Sequence, residues 1–278
     1  MTKHLLTILA LAAPLAATAQ QTPGQGAQQG PPATPQAAAA AAQRSPAATE
    51  QWEPLPPKVT PAPLPSAPPP ADAIVLFDGT NLDQWVNTNN KAPAGWTVAN
   101  GVFTVNKAQG IGNIETKRSF TNYQLHLEFM IPAGITQSGQ SKGNSGLFLA
   151  STGNGDAGYE LQILDSYDNS TYVNGQAASI YKQFPPLVNA SRAPGQWQSY
   201  DVIWNAPTFY PNGTVASSAR VTVFHNGILV QNNAVLRGET VYIGQPSYKP
   251  YTSAPIKLQA HGDPSPPISF RNIWIREL

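Results

Sequence analysis

Beyond residue 70 the chain reads as all-β: a two-sheet antiparallel β-sandwich preceded by a disordered Pro/Ala-rich segment. Three observations predict this. From Ala71 to Leu278 short apolar or alternating segments recur between Gly, Asn and Pro turns. No segment sustains a 3.6-residue apolar period with helix caps. The clearest segment, Tyr123–Ile131, alternates with a period of two: Tyr123, Leu125, Leu127, Phe129 and Ile131 on one parity, Gln124, His126, Glu128 and Met130 on the other.

Taken in order, the chain opens with Lys3 and His4, an apolar Leu5–Ala17 stretch, and Ala17-Thr18-Ala19 before Gln20. This is the pattern of a secretory signal peptide over residues 1–19, cleaved near Ala19, which implies a periplasmic or secreted protein. The alternative is an uncleaved anchor, but the apolar core is shorter than a bilayer span, so no transmembrane segment is expected. Residues 20–70 are Gln/Ala/Gly-rich and then Pro-rich, with few large apolar side chains to offset the entropy of ordering, and read as a disordered tether. Residues 71–278 form the domain, with strands expected at IVLF, GWTV, GVFTV, NYQLHLEFMI, SGLFLA, GYELQIL, ASIYK, WQSYDVIW, ARVTVFH, GILVQ, IKLQAH and ISFRNIWI. Asn226-Gly227 suits a type I′ hairpin turn, because both residues tolerate positive φ.

A formal net charge of +1 without a basic block gives no footprint for nucleic acid or an anionic membrane. The absence of cysteine excludes disulfides, thiolate metal sites and a cysteine nucleophile. No three-histidine metal set and no calcium-loop pattern is present, so no cofactor is expected, although Glu160, Asp165 and His261 could gather a divalent metal. Three Asn-x-Ser/Thr sequons, at Asn169, Asn189 and Asn212, read as chance occurrences in a bacterial export.

Parity picks out a candidate site. In GYELQILD, Tyr159, Leu161 and Ile163 point to the core, and Glu160 and Gln162 to the opposite face. In IKLQAH, Lys257, Gln259 and His261 share one face, as do His126 and Glu128 in Tyr123–Ile131. If these strands share a sheet, its outer surface gathers two carboxylates, two histidines and two amides. Glu160 is the first candidate for proton transfer, against a solvated carboxylate or a partner of Lys182. His261, at a strand end in a Gly-rich bend, is the better histidine; His126 is mid-strand and His225 caps a turn. Gln162 and Gln259 would bind hydroxyls. Asp165 is either a second catalytic acid brought round by a bulge or a turn cap. Trp197 and Tyr181 could stack on a ligand ring or sit in the core.

Eight pieces in order resemble the 3-keto-disaccharide hydrolase domain family: FDGTNLDQW, GWTVANGVFTV, GNSGLFL, GYELQILD, ASIYK, PGQWQSYDVIW, VTVFHNGILV and the terminal IKLQAHGDPSPPISFRNIWIREL, spanning Ile74 to Leu278. The resemblance implies a concanavalin A-like jelly roll whose outer sheet surface holds sugar. It also implies an exported enzyme acting on 3-keto-glycosides made by a partner sugar 3-dehydrogenase. A C3 carbonyl acidifies the C2 proton, so the site needs a base near C2, an acid near O1 and donors near O3. Asn144, Glu160, Gln162, Asp165, Lys182, Gln259, His261 and Arg271 match motif positions; Lys182 and Arg271 are candidates to steady the O3 enolate, Arg271 being equally a candidate for a structural ion pair. In the family the His-Gly pair runs almost straight into the last strand; here Gly262-Asp263-Pro264-Ser265-Pro266-Pro267 makes a longer, stiffer bend.

Two other readings remain open. A retaining β-glucanase on the same fold would carry E-x-D-x-x-E, where this chain has Glu160, Gln162 and Asp165. Retention needs two carboxyls about 5–5.5 Å apart, which the Gln and the shorter Asp undermine. A non-catalytic carbohydrate-binding module would need no perturbed acid or base.

Overall fold

The computed structural model describes residues 44–63 and 68–278. The expected signal peptide and residues 20–43 of the expected tether lie outside the described residues. Among those described, no helix is long and apolar enough to cross a membrane.

Fifteen strands follow in chain order. The first half holds β1 (Ile74–Phe77), β2 (Trp85–Asn87), β3 (Thr97–Ala99), β4 (Val102–Thr104), β5 (Ile114–Thr116), β6 (Tyr123–Met130), β7 (Ser145–Ser151) and β8 (Gly158–Ile163). The second holds β9 (Trp197–Asn205), β10 (Thr208–Phe209), β11 (Val215–Ser217), β12 (Arg220–His225), β13 (Ile228–Val235), β14 (Lys257–Leu258) and β15 (Ser269–Glu277). An eight-stranded sheet runs β13-β12-β9-β6-β15-β4-β3, with β1 also on β15, and packs on a five-stranded sheet ordered β2-β5-β14-β7-β8. All strand pairs are antiparallel, as the alternating segments predict.

The alternation of Tyr123–Ile131 fixes the core side of the large sheet: Tyr123, Leu125, Leu127, Phe129 and Ile131 are all buried. They meet Leu147, Leu149, Tyr159, Leu161, Ile163 and Leu258 of the small sheet in one apolar cluster. Burial of side chains this size stabilises by roughly 1.5–3 kcal/mol each. Two tyrosine hydroxyls cross between the sheets, Tyr123 to Leu149 O (2.6 Å) and Tyr200 to Gln162 O (2.7 Å), so the layers are locked in register directly beneath β8. The Asn226-Gly227 turn has the positive φ angles (53° and 81°) expected of it.

Three expectations are corrected. ASIYK is not a strand: Ala178 and Lys182 have φ of 64° and 57°, and only Ile180 bridges to Leu161. Left-handed residues at both ends prevent a continuous ladder. Strand β6, with His126 and Glu128, lies between β9 and β15 in the large sheet and does not join β8 and β14. Finally, residues 44–63 are not a free tether but a strap held on the domain. A 3₁₀ turn at Pro46–Thr49 is capped by Ser45. Gln51 N donates to Asn174 Oδ1 (3.0 Å), Val173 N donates to Gln51 O (2.6 Å) and Asn174 Nδ2 to Thr49 O (2.9 Å). Trp52 meets Tyr172 edge-on at 6.2 Å, and Val59 and Pro57 exchange backbone bonds with Asn189. Prolines pre-set an extended backbone, so little entropy is lost when the few free amides find partners.

Candidate active site

The site is built on the outer face of the five-stranded sheet. Parity on β8 turns Glu160 and Gln162 away from the core, as the sequence implies. They are nonetheless buried, at 6% and 1% exposure, because neighbouring loops roof this face. Residues 178–181 run along the β8 edge, with Ala178 N donating to Gln162 O (2.9 Å) and Tyr181 N to Glu160 O (3.2 Å). Thr240 closes the other end: its N donates to Gly158 O (2.8 Å), and its Oγ1 accepts from Glu160 N (3.0 Å). Beneath Glu160, only glycine fits at position 146, where a Cβ would lie 2.5 Å from Glu160 Oε1.

What remains open is a pocket of 360 Å³ lined by Asn144, Asp156, Glu160, Gln162, Tyr181, Thr240, Tyr242, Gln259 and His261. Strand β8, the end of β14 and four loops therefore converge on one hollow. Glu160 and His261, distant in sequence, both line it.

The electrostatics of the pocket are uneven. Burial pushes the Glu160 carboxyl up to about 8, with Asp156 adding to the rise and Lys257 opposing it, so Glu160 is protonated at neutral pH. The Gln162 amide has its nitrogen donating to Ser145 O (3.0 Å) and to Glu160 Oε1 (3.2 Å), since the opposite orientation would set its oxygen against both acceptors. Gln259 Oε1 is buried with no partner among the described residues, an acceptor left for a ligand hydroxyl.

His261 Nδ1 lies 3.0 Å from Asp263 Oδ2, leaving Nε2 as the nitrogen without a protein partner. Burial acts to raise the Asp263 carboxyl, yet bonds from His261, Ser265 and Lys107 hold it down at about 2. Lys257 is fully buried, and its Nζ donates to the carbonyls of Gly153 (3.0 Å), Gly155 (2.9 Å) and Ala157 (2.7 Å). It thereby holds the turn that carries Asp156 into the pocket.

The other expected residues lie elsewhere. Asp165 does not line the pocket: its Oδ1 accepts from Tyr167 N (3.1 Å) and its Oδ2 lies 3.2 Å from Lys142 Nζ, so it caps a turn, and no bulge brings it round. Lys182 has spent its ammonium on Pro46 O (2.6 Å) and Tyr242 O (3.0 Å), against the rings of Tyr242 and Tyr172. It steadies the pocket wall and not an enolate.

Arg271, Glu128, His126 and Trp197 sit on the outer face of the large sheet. There Arg271 stacks over Trp197 at 4.1 Å and donates to Glu128 Oε2 (2.6 Å), while His126 Nδ1 lies 2.6 Å from Asp201 Oδ1. Parity correctly grouped His126 and Glu128 on one face; strand pairing put that face on the other sheet. A hollow of 680 Å³ beside Glu128, Arg271 and Asn272 is larger, but Glu128 is already satisfied by Arg271 and Asn272. His225 is buried, bonded to Gln198 Oε1 (2.9 Å) and pushed down to about 3 by burial, hence neutral. Among the described residues no three His, Asp or Glu side chains gather to hold a metal, and the Glu160, Asp165, His261 set does not assemble.

Asp156, Thr240, Tyr242 and Asp263 were not anticipated from sequence. Asp156 sits in a glycine-rich turn and Thr240 and Tyr242 in an aperiodic loop, where parity has no purchase. Asp263 was visible only as part of the unusual bend.

A family profile described as the 3-keto-alpha-glucoside-1,2-lyase-like domain matches residues 72–276. A candidate glycosyl hydrolase structure from Parabacteroides distasonis is 50% identical, covers 82% of this chain and 94% of its own, and superposes with a TM-score of 0.72. A second from that organism, at 23% identity over 74% of this chain and 99% of its own with a TM-score of 0.52, shares the fold. None of the curated proteins matches at a significant level. With the profile spanning nearly the whole sandwich, this chain belongs to the 3-keto-alpha-glucoside-1,2-lyase-like domain family.

Proposed function

We propose that this protein is an exported enzyme that cleaves 3-keto-glycosides by removing the C2 proton, eliminating the C1 aglycone and adding water back, which amounts to hydrolysis. The observation that carries the reading is that a carboxyl kept neutral and a histidine with one open nitrogen line the same sugar-sized pocket. His261 Nε2 is the base. It takes the C2 proton as the electron pair forms the enolate and charge moves to O3. Glu160 is the acid that protonates the departing C1 oxygen as the enolate collapses to an enone; water then adds at C1 and a proton returns to C2. Thr240, whose oxygen already accepts from Glu160 N, keeps its hydroxyl hydrogen for O3, and the Gln259 and Gln162 amides bind ring hydroxyls.

A C3 ketone must be installed before this enzyme can act, so a sugar 3-dehydrogenase would supply its substrate. The N-terminal leader pattern supports the export part of the proposal. The glucanase alternative loses Asp165 as its second carboxyl, since Asp165 is held by Lys142 and a turn amide.

The test is to incubate the protein with a 3-keto-glucoside and with its unoxidised parent. Release of aglycone from the keto sugar alone is the expected result. Cleavage of the parent alone, or binding without turnover of either, overturns the proposal in favour of a glucanase or a binding module.

A further inference from the structure

The bend from Gly262 to Pro267 delivers a buried carboxylate to the back of the histidine. The Asp263 side chain is 1% exposed, whereas that of His261 is 35% exposed and faces the pocket. Every other bond to Asp263 serves to hold it still. Ser265 N donates to Oδ1 at 2.8 Å and Ser265 Oγ donates to the same oxygen. Lys107 Nζ reaches Oδ2, the Asp263 carbonyl and the Ser265 carbonyl, each at 3.0 Å. Oδ2 is left 3.0 Å from His261 Nδ1.

The Asp263 backbone N also lies 3.2 Å from Nδ1, so the ring nitrogen must choose between accepting from an amide and donating to a carboxylate. Donation wins: a charge-assisted bond is roughly twice as strong as a neutral one, and an unprotonated Nδ1 would set its lone pair against a fixed anion.

We propose that Asp263 is a positioning residue: it fixes His261 in the Nδ1–H tautomer, so that the Nε2 lone pair faces the pocket, and it stabilises the imidazolium formed when Nε2 takes a proton. This rests on the functional reading given above. In the step it serves, the C2–H bond breaks, the proton goes to Nε2, and the electron pair becomes the C2=C3 bond as O3 takes the negative charge. The imidazolium then faces the Asp263 carboxylate as a neutral pair. The charged or titratable groups around His261 are Asp263 on its own bend, Lys107 on the segment after β4, and Glu160, Asp156, Tyr181 and Tyr242 in the pocket lining.

Two measurements on the full-length protein test this. Long-range ¹H–¹⁵N spectra of the histidine rings, with His261 assigned through His261→Gln, report the tautomer directly. The wild type is expected to show a protonated Nδ1 and a bare Nε2, and Asp263→Asn, whose amide can donate to Nδ1, is expected to reverse them. With a 3-keto-glucoside, Asp263→Asn should lower kcat by about 10²–10⁴-fold, the scale of a misplaced general base, while KM stays within about threefold. Asp263→Glu should recover part of the loss and keep the wild-type tautomer.

A bare Nδ1 in the wild type overturns the proposal, as does an unchanged tautomer in Asp263→Asn or a kcat within about threefold of wild type. If Asp263→Asn does not fold, the wild-type spectrum decides alone. If the wild type leaves 3-keto-glycosides intact, the functional reading fails, while the spectra still judge the role of Asp263.

Discussion

Glu160 gives the most demanding prediction, because its environment ties chemistry to stability. In the unfolded chain its carboxyl titrates near 4.5, and in the folded protein burial raises it to about 8. Between those values the folded state holds a proton that the unfolded state has lost, so stability must fall as pH rises from about 4.5 to about 8 and then level off. Each pKa unit corresponds to about 1.4 kcal/mol, which sets a ceiling of about 5 kcal/mol. The Gln162 amide, turned to donate to Oε1 at 3.2 Å, relieves part of this, so the loss expected in practice is on the order of 3 kcal/mol. Glu160→Gln keeps the shape and removes the titration. Urea unfolding of wild type and Glu160→Gln at several pH values from 4.5 to 9 isolates the effect as a difference curve, free of every other titrating group. The variant should gain steadily on the wild type up to about pH 8 and run parallel above it, while losing about 10²–10⁴-fold in kcat on the keto sugar. Curves that differ by a constant, to within about 1 kcal/mol, from pH 5 to 8 would refute the argument that Glu160 is neutral because it is buried.

Four other substitutions probe the scaffold. Gly158 has φ of 139°, and a Cβ there would lie 2.2 Å from Ala150 O; Gly158→Ala should cost at least about 2–3 kcal/mol in denaturant melts. Gly153→Ala, meeting only Ala157 Cβ at 3.4 Å, should stay within about 1 kcal/mol of wild type. Lys257→Met strands three carbonyls that water can partly reach, so a loss of about 2 kcal/mol and faster amide exchange across residues 153–157 are expected, with reduced turnover as Asp156 loosens. Burial works to lower the His126 pKa, but its bonds to Asp201 and Glu128 win and raise it to about 9. Its stabilisation is therefore full below about pH 6.5 and lost as pH rises through about 9, and His126→Gln should remove on the order of 2–3 kcal/mol of that dependence without changing cleavage.

What the sequence made legible was mainly local. A period of two placed Glu160 and Gln162 away from the core, named the inner face of Tyr123–Ile131, and found the Asn226-Gly227 turn, because each depends on neighbours in the chain. Sheet membership does not. His126 and Glu128 had the right parity for a shared polar face, but the partners of β6 lie far along the chain, and pairing with β9 and β15 carried them to the other layer. Lys182 misled for a related reason: its charge suggested an anion, while the carbonyls that occupy it, Pro46 and Tyr242, come from segments with no periodic signal. Those same aperiodic loops turned an outward face into an enclosed one, which is why Glu160 is neutral instead of solvated.

The strap alters where the gene should be cut. The family profile starts at residue 72, yet the Lys182 ammonium inside the fold donates to the Pro46 carbonyl, and the Asn174 side chain clasps the backbone on both sides of Glu50. A clone trimmed to the profile boundary would leave Lys182, only 6% exposed, with Tyr242 as its remaining bonded carbonyl, and would bare the ring of Tyr172 that Trp52 shields. Tyr172 in turn shares a hydroxyl bond with Tyr181 in the pocket wall, so the damage would spread from the surface to the pocket. Recombinant protein should begin upstream of Arg44.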